Sequence, residues 1–342
     1  MNNKIETILV TGGAGYIGSH TCVALLEYGY QVIVVDNLSN SKYISLERVQ
    51  KITGKTLSFI KTDIRNKQTL ANIFKKYPID AVIHFAGLKA VNESVTIPLG
   101  YYQNNLCGTL CLLEVMKQSD VKNIVFSSSA VVYGEPASLP IKEDFPLSAT
   151  NPYGRSKLVI EDILRDLHKS DKSWNISILR YFNPVGAHES GLIGENPNDT
   201  PNNLMPYISQ VAVGKLEKLS IYGNDYPTKD GTGVRDYIHV VDLTKGHIKA
   251  LAKLEKDSGC MTHNLGTGQG YTVLEMVAAI EQASGRNVPY QIVARREGDV
   301  AACFADPTLA KEELNWVAKK GLQQMCEDTW KWQENNHEGY NT

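Results

Sequence analysis

The stretch Ile8-Leu9-Val10-Thr11-Gly12-Gly13-Ala14-Gly15-Tyr16-Ile17-Gly18 decides the fold class. Ile8, Leu9 and Val10 read as a short buried strand. They run into glycines at 12, 15 and 18, and a helical pattern follows, with Cys22, Leu25 and Leu26 facing inward and Gly29 at its end. A second apolar run, Val32-Ile33-Val34-Val35, closes on Asp36. Glycines without a Cβ let the backbone approach a pyrophosphate at a helix N-terminus. An acid at the end of the second strand accepts hydrogen bonds from a ribose diol and repels a 2′-phosphate. Glycines alone indicate no more than a tight turn. The order strand, turn, helix, strand, acid predicts a dinucleotide site.

Working outward, the alternation continues. Strands are predicted near 57–60, 81–85 and 124–127, a helix near 67–76, and a long helical pattern up to 116. The expected fold class is α/β, a Rossmann-like doubly wound parallel sheet with a smaller mixed α/β substrate domain. The expected division is 1–180 for the nucleotide domain and 181–342 mainly for the substrate domain, with chain crossings back to the first allowed. Ligands bind at the carboxyl ends of such strands. The residues there are Asp63 and Ile64, Phe85, Ala86, Gly87 and Lys89, and the run Ser127-Ser128-Ser129.

Bulk properties exclude several classes. A chain of 342 residues holds one large or two medium domains. A net charge of −2, with no basic run, argues against a nucleic-acid partner. No apolar run reaches the roughly 18 residues of a membrane span, and 8–10 lies too near the start for a signal peptide. The six cysteines form no Cys-x-x-Cys pair and have no His cluster beside them, so no metal is expected. Buried reduced thiols and a cytoplasmic setting are the expectation.

The chemistry rests on Asn151-Pro152-Tyr153-Gly154-Arg155-Ser156-Lys157. Pro152 suits a helix start, and Ile160, Ile163, Leu164 and Leu167 give the helix an apolar stripe. Tyr153 and Lys157, four apart, share one face of it. A phenol beside an ammonium is an acid/base device: the charge is expected to lower the Tyr153 pKa. The pair alone is a weak signal. With 17 Tyr and 26 Lys in 342 positions, chance supplies about one such pair. Its place after a serine-ended strand puts it where a nicotinamide would lie.

The glycine turn, Ser129 and Tyr153-x-x-x-Lys157 resemble the extended short-chain dehydrogenase/reductase family. The stretches 12–20, 84–90, 180–187, 201–207 and 231–239 resemble its UDP-glucose 4-epimerase branch over nearly the whole chain. One departure is Val131 in Ser129-Ala130-Val131-Val132-Tyr133-Gly134, where that branch commonly has Thr; its hydroxyl contact is not expected here. The resemblance implies NAD held by Gly12, Gly15, Tyr16, Ile17, Gly18, Asp36, Asn37, Asp63, Ile64, Phe85, Ala86, Gly87, Lys89, Asn104, Ser127, Tyr153, Lys157 and Tyr181. It implies a UDP-hexose held by Lys89, Ser129, Tyr153, Phe182, Asn183, Asn203, Leu204, Tyr222, Arg235, Arg296, Asp299 and Cys303. Tyr153, Lys157 and Ser129 would be catalytic, and a homodimer would form through helices near 99–116 and 153–167.

Beyond about residue 179 the alternation loosens into Asn-, Pro- and Gly-rich loops, with helical patterns near 204–213, 242–254, 273–283 and 322–332. Thr272-x-x-Glu275 predicts a capping box. Arg235 and Arg296 offer guanidinium forks for a diphosphate. Two other functions compete. A nucleotide-sugar 4,6-dehydratase would need an Asp-Glu pair soon after the serine strand, where this chain has Ala130-Val131-Val132. A catalytically silent NAD-binding regulator could keep the glycine turn and lose the Tyr-Lys pair, but both are present.

Overall fold

The computed structural model describes residues 4–198, 201–296 and 298–341. The first half alternates strand and helix: β1 (Thr7–Thr11), α1 (Tyr16–Glu27), β2 (Gln31–Asp36), α2 (Ile44–Thr53), β3 (Ser58–Lys61), α3 (Lys67–Lys76) and β4 (Ala81–His84). Three helices follow, α4 (Val91–Thr96), α5 (Pro98–Tyr102) and α6 (Gly108–Gln118), then β5 (Asn123–Ser129), α7 (Pro152–Ser170) and β6 (Asn175–Tyr181). The second half holds β7 (Asn183–Val185), α8 (Leu204–Ala212), β8 (Leu219–Tyr222), β9 (Val234–His239), α9 (Val240–Lys256), β10 (Cys260–Leu265) and β11 (Gly270–Thr272). It ends with α10 (Val273–Ser284), β12 (Tyr290–Val293), β13 (Ala302–Cys303), α11 (Thr308–Leu314) and α12 (Leu322–Asn335).

Seven strands form the main sheet in the order β10-β6-β5-β4-β1-β2-β3, every pairing parallel. Side chains alternate across it, as the period of two requires. Ile8 and Val10 pack with Cys22, Leu25 and Leu251 on one face. Leu9 packs with Leu112, Ile160 and Leu164 on the other. Both faces are therefore covered, and a fully buried side chain of this kind stabilises the fold by about 1.5–3 kcal/mol. The strand order reverses between β1 and β4. The glycine turn leaves β1 at that switch point, where open α/β sheets bind their ligands.

The seventh strand, β10, comes from the second half and adds to β6. The rest of that half builds β7, β9, β11 and β13 into one small sheet and β8 and β12 into another. α8, α10 and α12 pack around Ile208, Met276, Ile280 and Met325. The capping box forms: Glu275 N–H donates to Thr272 Oγ1 (3.1 Å), and Thr272 N–H donates to Glu275 Oε2 (2.8 Å). Thr272→Ala is expected to lower the unfolding free energy by about 1 kcal/mol, read as a lower urea midpoint at unchanged slope.

Three local expectations need correction. The helical pattern up to 116 is broken. Pro98 starts a new helix after Ile97 (φ −126°, ψ 56°), as the residue before a proline is driven out of the helical region. A π-helical turn, Gln103–Cys107, precedes α6. The serine run stands at the end of β5 as expected, but the strand runs on through Ser129 instead of stopping at Ser127. Among the cysteines, all six free, only Cys22 and Cys326 are buried, and Cys107 is exposed.

Candidate functional site

The glycine turn is built for close backbone approach. Gly12 has φ +70°, and a Cβ there would lie 2.7 Å from Ala86 N. A Cβ on Gly18 would lie 2.3 Å from Gly12 O, so α1 sits against the turn. Gly15 caps α1 with no side-chain hydrogen bond, leaving the first-turn N–H groups of Tyr16, Ile17 and Gly18 for a ligand anion. Asp36 Oδ2 accepts from Ala14 N (3.0 Å), while Oδ1 accepts from Leu38 N and Ser41 Oγ (both 2.9 Å). Asp36 thus shapes the turn as well as facing it. A carboxylate can also accept from a ribose hydroxyl. These features fit a dinucleotide.

The other residues expected to hold a cofactor lie at or after the carboxyl ends of β2, β3, β4 and β6 and on the helices behind them. Asn37 donates to Asp63 Oδ2 (3.1 Å), and the Arg65 fork beside Asp63 holds its carboxyl well below the usual carboxylate range. Ile64 is buried against Gly108. The Phe85 ring packs, tilted by 53°, against His247 of α9, with ring centres 4.9 Å apart. Gly87 lies against Asn105, whose amide also holds the Leu88 backbone and Ser156 Oγ. Asn104 donates to the same Asn105 (2.9 Å). The π-helical turn therefore fastens the loop after β4 to α7. Tyr16 OH donates across to Gly186 O (2.6 Å). Buried Tyr181 pairs its hydroxyl with His247 Nε2.

Asn151 caps α7 by accepting from Gly154 N (2.8 Å), with Pro152 at its first position. Tyr153 and Lys157 follow in the first two turns. Burial raises the Tyr153 pKa above its ordinary value; a hydrogen bond with Ser129 and the charge of Lys89 oppose that rise. This differs from the expected role of Lys157. The Lys157 ammonium donates to Ser127 O (2.6 Å), sits 4.9 Å from the Phe126 ring centre and lies 6.0 Å from that of Tyr153. The strand end draws it away from the phenol. Burial lowers its own pKa to about 8, against the opposing charge of Glu161.

Of the three serines, Ser128 points the wrong way. Successive strand residues face opposite sides, and Ser128 Oγ donates to Glu161 Oε1 (2.5 Å), which also accepts from buried Arg180. Ser127 and Ser129 share the ligand-facing side.

The expected sugar and diphosphate residues gather at the edge of the second half. Arg235 Nη1 donates to Val300 O (2.9 Å), and its Nη2 lies 3.7 Å from Asp299 Oδ1. Arg296 Nε donates to Asp299 Oδ2 (2.9 Å), and its guanidinium stacks 4.5 Å from the Tyr222 ring centre. Cys303 on β13 pairs in register with Arg235 on β9. It packs beside Val132 and Phe182, and burial pushes its thiol up to about 11. Asn183 is exposed on β7. Asn203 precedes Leu204 at the N-terminus of α8, but its amide donates to Glu195 Oε1 (2.8 Å) instead of capping the helix. Lys89 donates to the same oxygen (2.9 Å). Glu195 is absent from the sequence expectations, as are Asn105 and His247.

The chain is 63% identical to the UDP-glucose 4-epimerase of Bacillus subtilis over 333 residues, covering 97% of this chain and 98% of that one. The chain belongs to the UDP-glucose 4-epimerase family. A family model described as GDP-mannose 4,6 dehydratase matches residues 9–329 and marks the wider extended dehydrogenase/reductase group. The crystal structure of the Bifidobacterium longum UDP-glucose 4-epimerase in complex with NAD⁺ and UDP superposes with a TM-score of 0.95 at 54% identity, covering 97% of this chain and 99% of that one. The UDP-Glc/GlcNAc 4-epimerase of Campylobacter jejuni superposes with a TM-score of 0.84 at 36% identity, covering 96% and 99%. In contrast to what a dehydratase requires, the short turn after β5, Ala130–Tyr133, carries no acid. Among the described residues no helix is long and apolar enough to cross a membrane, and no cluster of side chains could hold a metal ion.

Proposed function

We propose that this protein is an isomerase that interconverts UDP-glucose and UDP-galactose, using bound NAD to oxidise C4 of the sugar transiently to a 4-keto intermediate. The observation that supports the reading is Tyr153 hydrogen-bonded to Ser129 with Lys157 one turn on, at the end of β5 in the same parallel sheet whose β1 carries the glycine turn. The glycine turn at Gly12, Gly15 and Gly18, with Asp36, would hold NAD, which would supply reversible hydride transfer at C4 of the sugar. Tyr153, as phenolate, takes the proton of the 4-hydroxyl. Ser129 hydrogen-bonds the 4-oxygen and relays its proton. Lys157, held at the Ser127 carbonyl, is placed by this reading against the nicotinamide ribose. Arg235 and Arg296 hold the diphosphate, so that the keto sugar turns over while UDP stays anchored. Asn183, Asn203, Leu204, Tyr222 and Asp299 complete the substrate side.

The test is to incubate the purified protein with UDP-galactose without added NAD, then denature a second sample and identify the released nucleotide. UDP-glucose as product and NAD as the released species are expected, since the Asp36 carboxylate disfavours a 2′-phosphate. No conversion, or NADP as the main species, overturns the reading.

A homodimer is part of the same reading. It is supported by the exposed apolar residues Val95 on α4, Ile97 between α4 and α5, Leu99 on α5 and Leu110 on α6. A cytoplasmic setting is supported by six free thiols. A second activity, on N-acetylated UDP-hexoses, is favoured by the small side chain of Cys303 next to Arg235.

A further inference from the structure

Cys303 sits on β13, a strand only two residues long. So short a ladder holds little by itself. Just before it, Val234 N donates to Ala301 O (2.8 Å) and Arg235 Nη1 to Val300 O (2.9 Å). The chain just beyond it is tied down by Asp236. This residue follows Arg235 on β9, is fully buried, and faces the opposite side of the strand. Its Oδ2 accepts from Ala305 N (3.1 Å), two residues past Cys303, and from Gly268 N (3.0 Å). Its Oδ1 accepts from Thr267 N (2.9 Å) and Thr267 Oγ1 (2.6 Å). A carboxylate taken out of water needs such donors. Thr267 and Gly268 lie in the turn that leaves β10, the end strand of the main sheet. One carboxylate thus joins the main sheet, β9 and the chain beyond β13. Gly266 makes the junction tight: a Cβ there would lie 2.5 Å from Asp236 Oδ2 and 2.7 Å from Ala305 Cβ. From the other side, Ile141 N donates to Phe304 O (2.9 Å), and Asp306 N donates to Ile141 O (2.7 Å).

We propose that Asp236 is a positioning residue for sugar specificity: by holding Ala305 to β9 and to the turn after β10, it fixes how far Cys303 stands from Arg235. The proposal rests on the reading of Arg235 and Cys303 as substrate-side residues. Arg235 and Cys303 are in register, so the spacing of β9 and β13 is the spacing of the two side chains. Val132 and Phe182 back Cys303 from behind. With the tie cut, β13 is held on the β9 side by its two-residue pairing and by the contacts just before it. The wall beside the sugar then yields to a bulkier substituent. A plain hexose gains nothing from that room and loses its fixed neighbour. Any weakening of the Arg235 grip on the diphosphate affects both sugars alike and cancels in their ratio.

The experiment compares purified holoenzymes of wild type, Asp236→Ala and Gly266→Ala. The first removes the carboxylate; the second keeps it and wedges it away from Ala305. The readouts are kcat/KM for UDP-N-acetylgalactosamine divided by kcat/KM for UDP-galactose, and hydrogen exchange of the main-chain amides of 301–306. Both variants should speed exchange there and raise the ratio by about 3- to 10-fold, short of the roughly 10- to 200-fold that a whole methylene of pocket fit is worth. Faster exchange with an unchanged ratio, both sugars losing rate alike, means a structural role only and overturns the proposal. Unmoved exchange in both variants overturns the tie itself. If Asp236→Ala does not fold, Gly266→Ala decides alone. A wild type that accepts only the plain hexose overturns the breadth expected of Cys303; gain of the N-acetylated sugar in Gly266→Ala then supports Asp236, and no gain overturns it. A wild type that turns over neither sugar overturns the epimerase reading, and the ratio of the two dissociation constants, by calorimetry, judges Asp236 in its place.

Discussion

Tyr153→Phe is expected to lower turnover by at least about 10²–10⁴-fold while leaving the nucleotide bound. The ring stays in place, since the capped and proline-started end of α7 fixes its backbone. Only the hydroxyl goes, and with it the group proposed to take the 4-hydroxyl proton. A free tyrosine titrates near 10, so working near neutrality needs a shift of roughly 3 units, about 4 kcal/mol in favour of the phenolate. In the protein, burial pushes the Tyr153 pKa up, and Ser129 and Lys89 act against that rise. The measurement is single-substrate turnover of UDP-galactose in parallel with the nucleotide released on denaturation. A near-normal rate with full nucleotide content would remove Tyr153 from the role of base.

Much of this arrangement was legible in the sequence because its signals are local. The glycine turn, the run Val32-Ile33-Val34-Val35 with Asp36 and the Pro152-started helix each occupy a few adjacent residues, and all have the predicted form. Thr272 and Glu275 lie three apart and form their box. What was not legible depends on long-range contact. Glu195 meets Lys89 across 106 positions of chain, and His247 meets Tyr181 across 66. Neither acid nor imidazole carries a spacing that announces its partner. β8 and β12 are four-residue strands, and β12 is mostly exposed, so neither shows the apolar run of a buried strand. The direction of Lys157 was missed for a related reason. Helical spacing places it on the face of Tyr153, but the Ser127 carbonyl, 30 positions earlier, decides where the ammonium goes.

Cys303→Tyr is expected to spare the plain hexose and penalise an N-acetylated one by about 5- to 150-fold in specificity constant, the equivalent of roughly 1–3 kcal/mol for bulk forced into a filled pocket. The position has the surroundings this requires. Cys303 stands in register with Arg235 and packs beside Phe182 and Val132, next to the turn that follows Ser129. Arg235, Phe182 and the turn after Ser129 thus come together around one small side chain. A Cys leaves room for an N-acetyl group beside the sugar 2-position, whereas a Tyr ring would fill it. The resemblance to the epimerase family points the same way, since a Tyr here goes with narrow specificity and a small residue with broad. The wild type is therefore expected to interconvert UDP-N-acetylglucosamine and UDP-N-acetylgalactosamine as well as the plain hexoses. The competing view is that Cys303 is a small packing residue between β9 and the turn after Ser129, with no part in specificity. In that case Cys303→Tyr would damage both substrates alike. The deciding quantity is the ratio of the two specificity constants in wild type and variant. No turnover of the N-acetylated sugar by the wild type, or an unchanged ratio in Cys303→Tyr, sinks the idea.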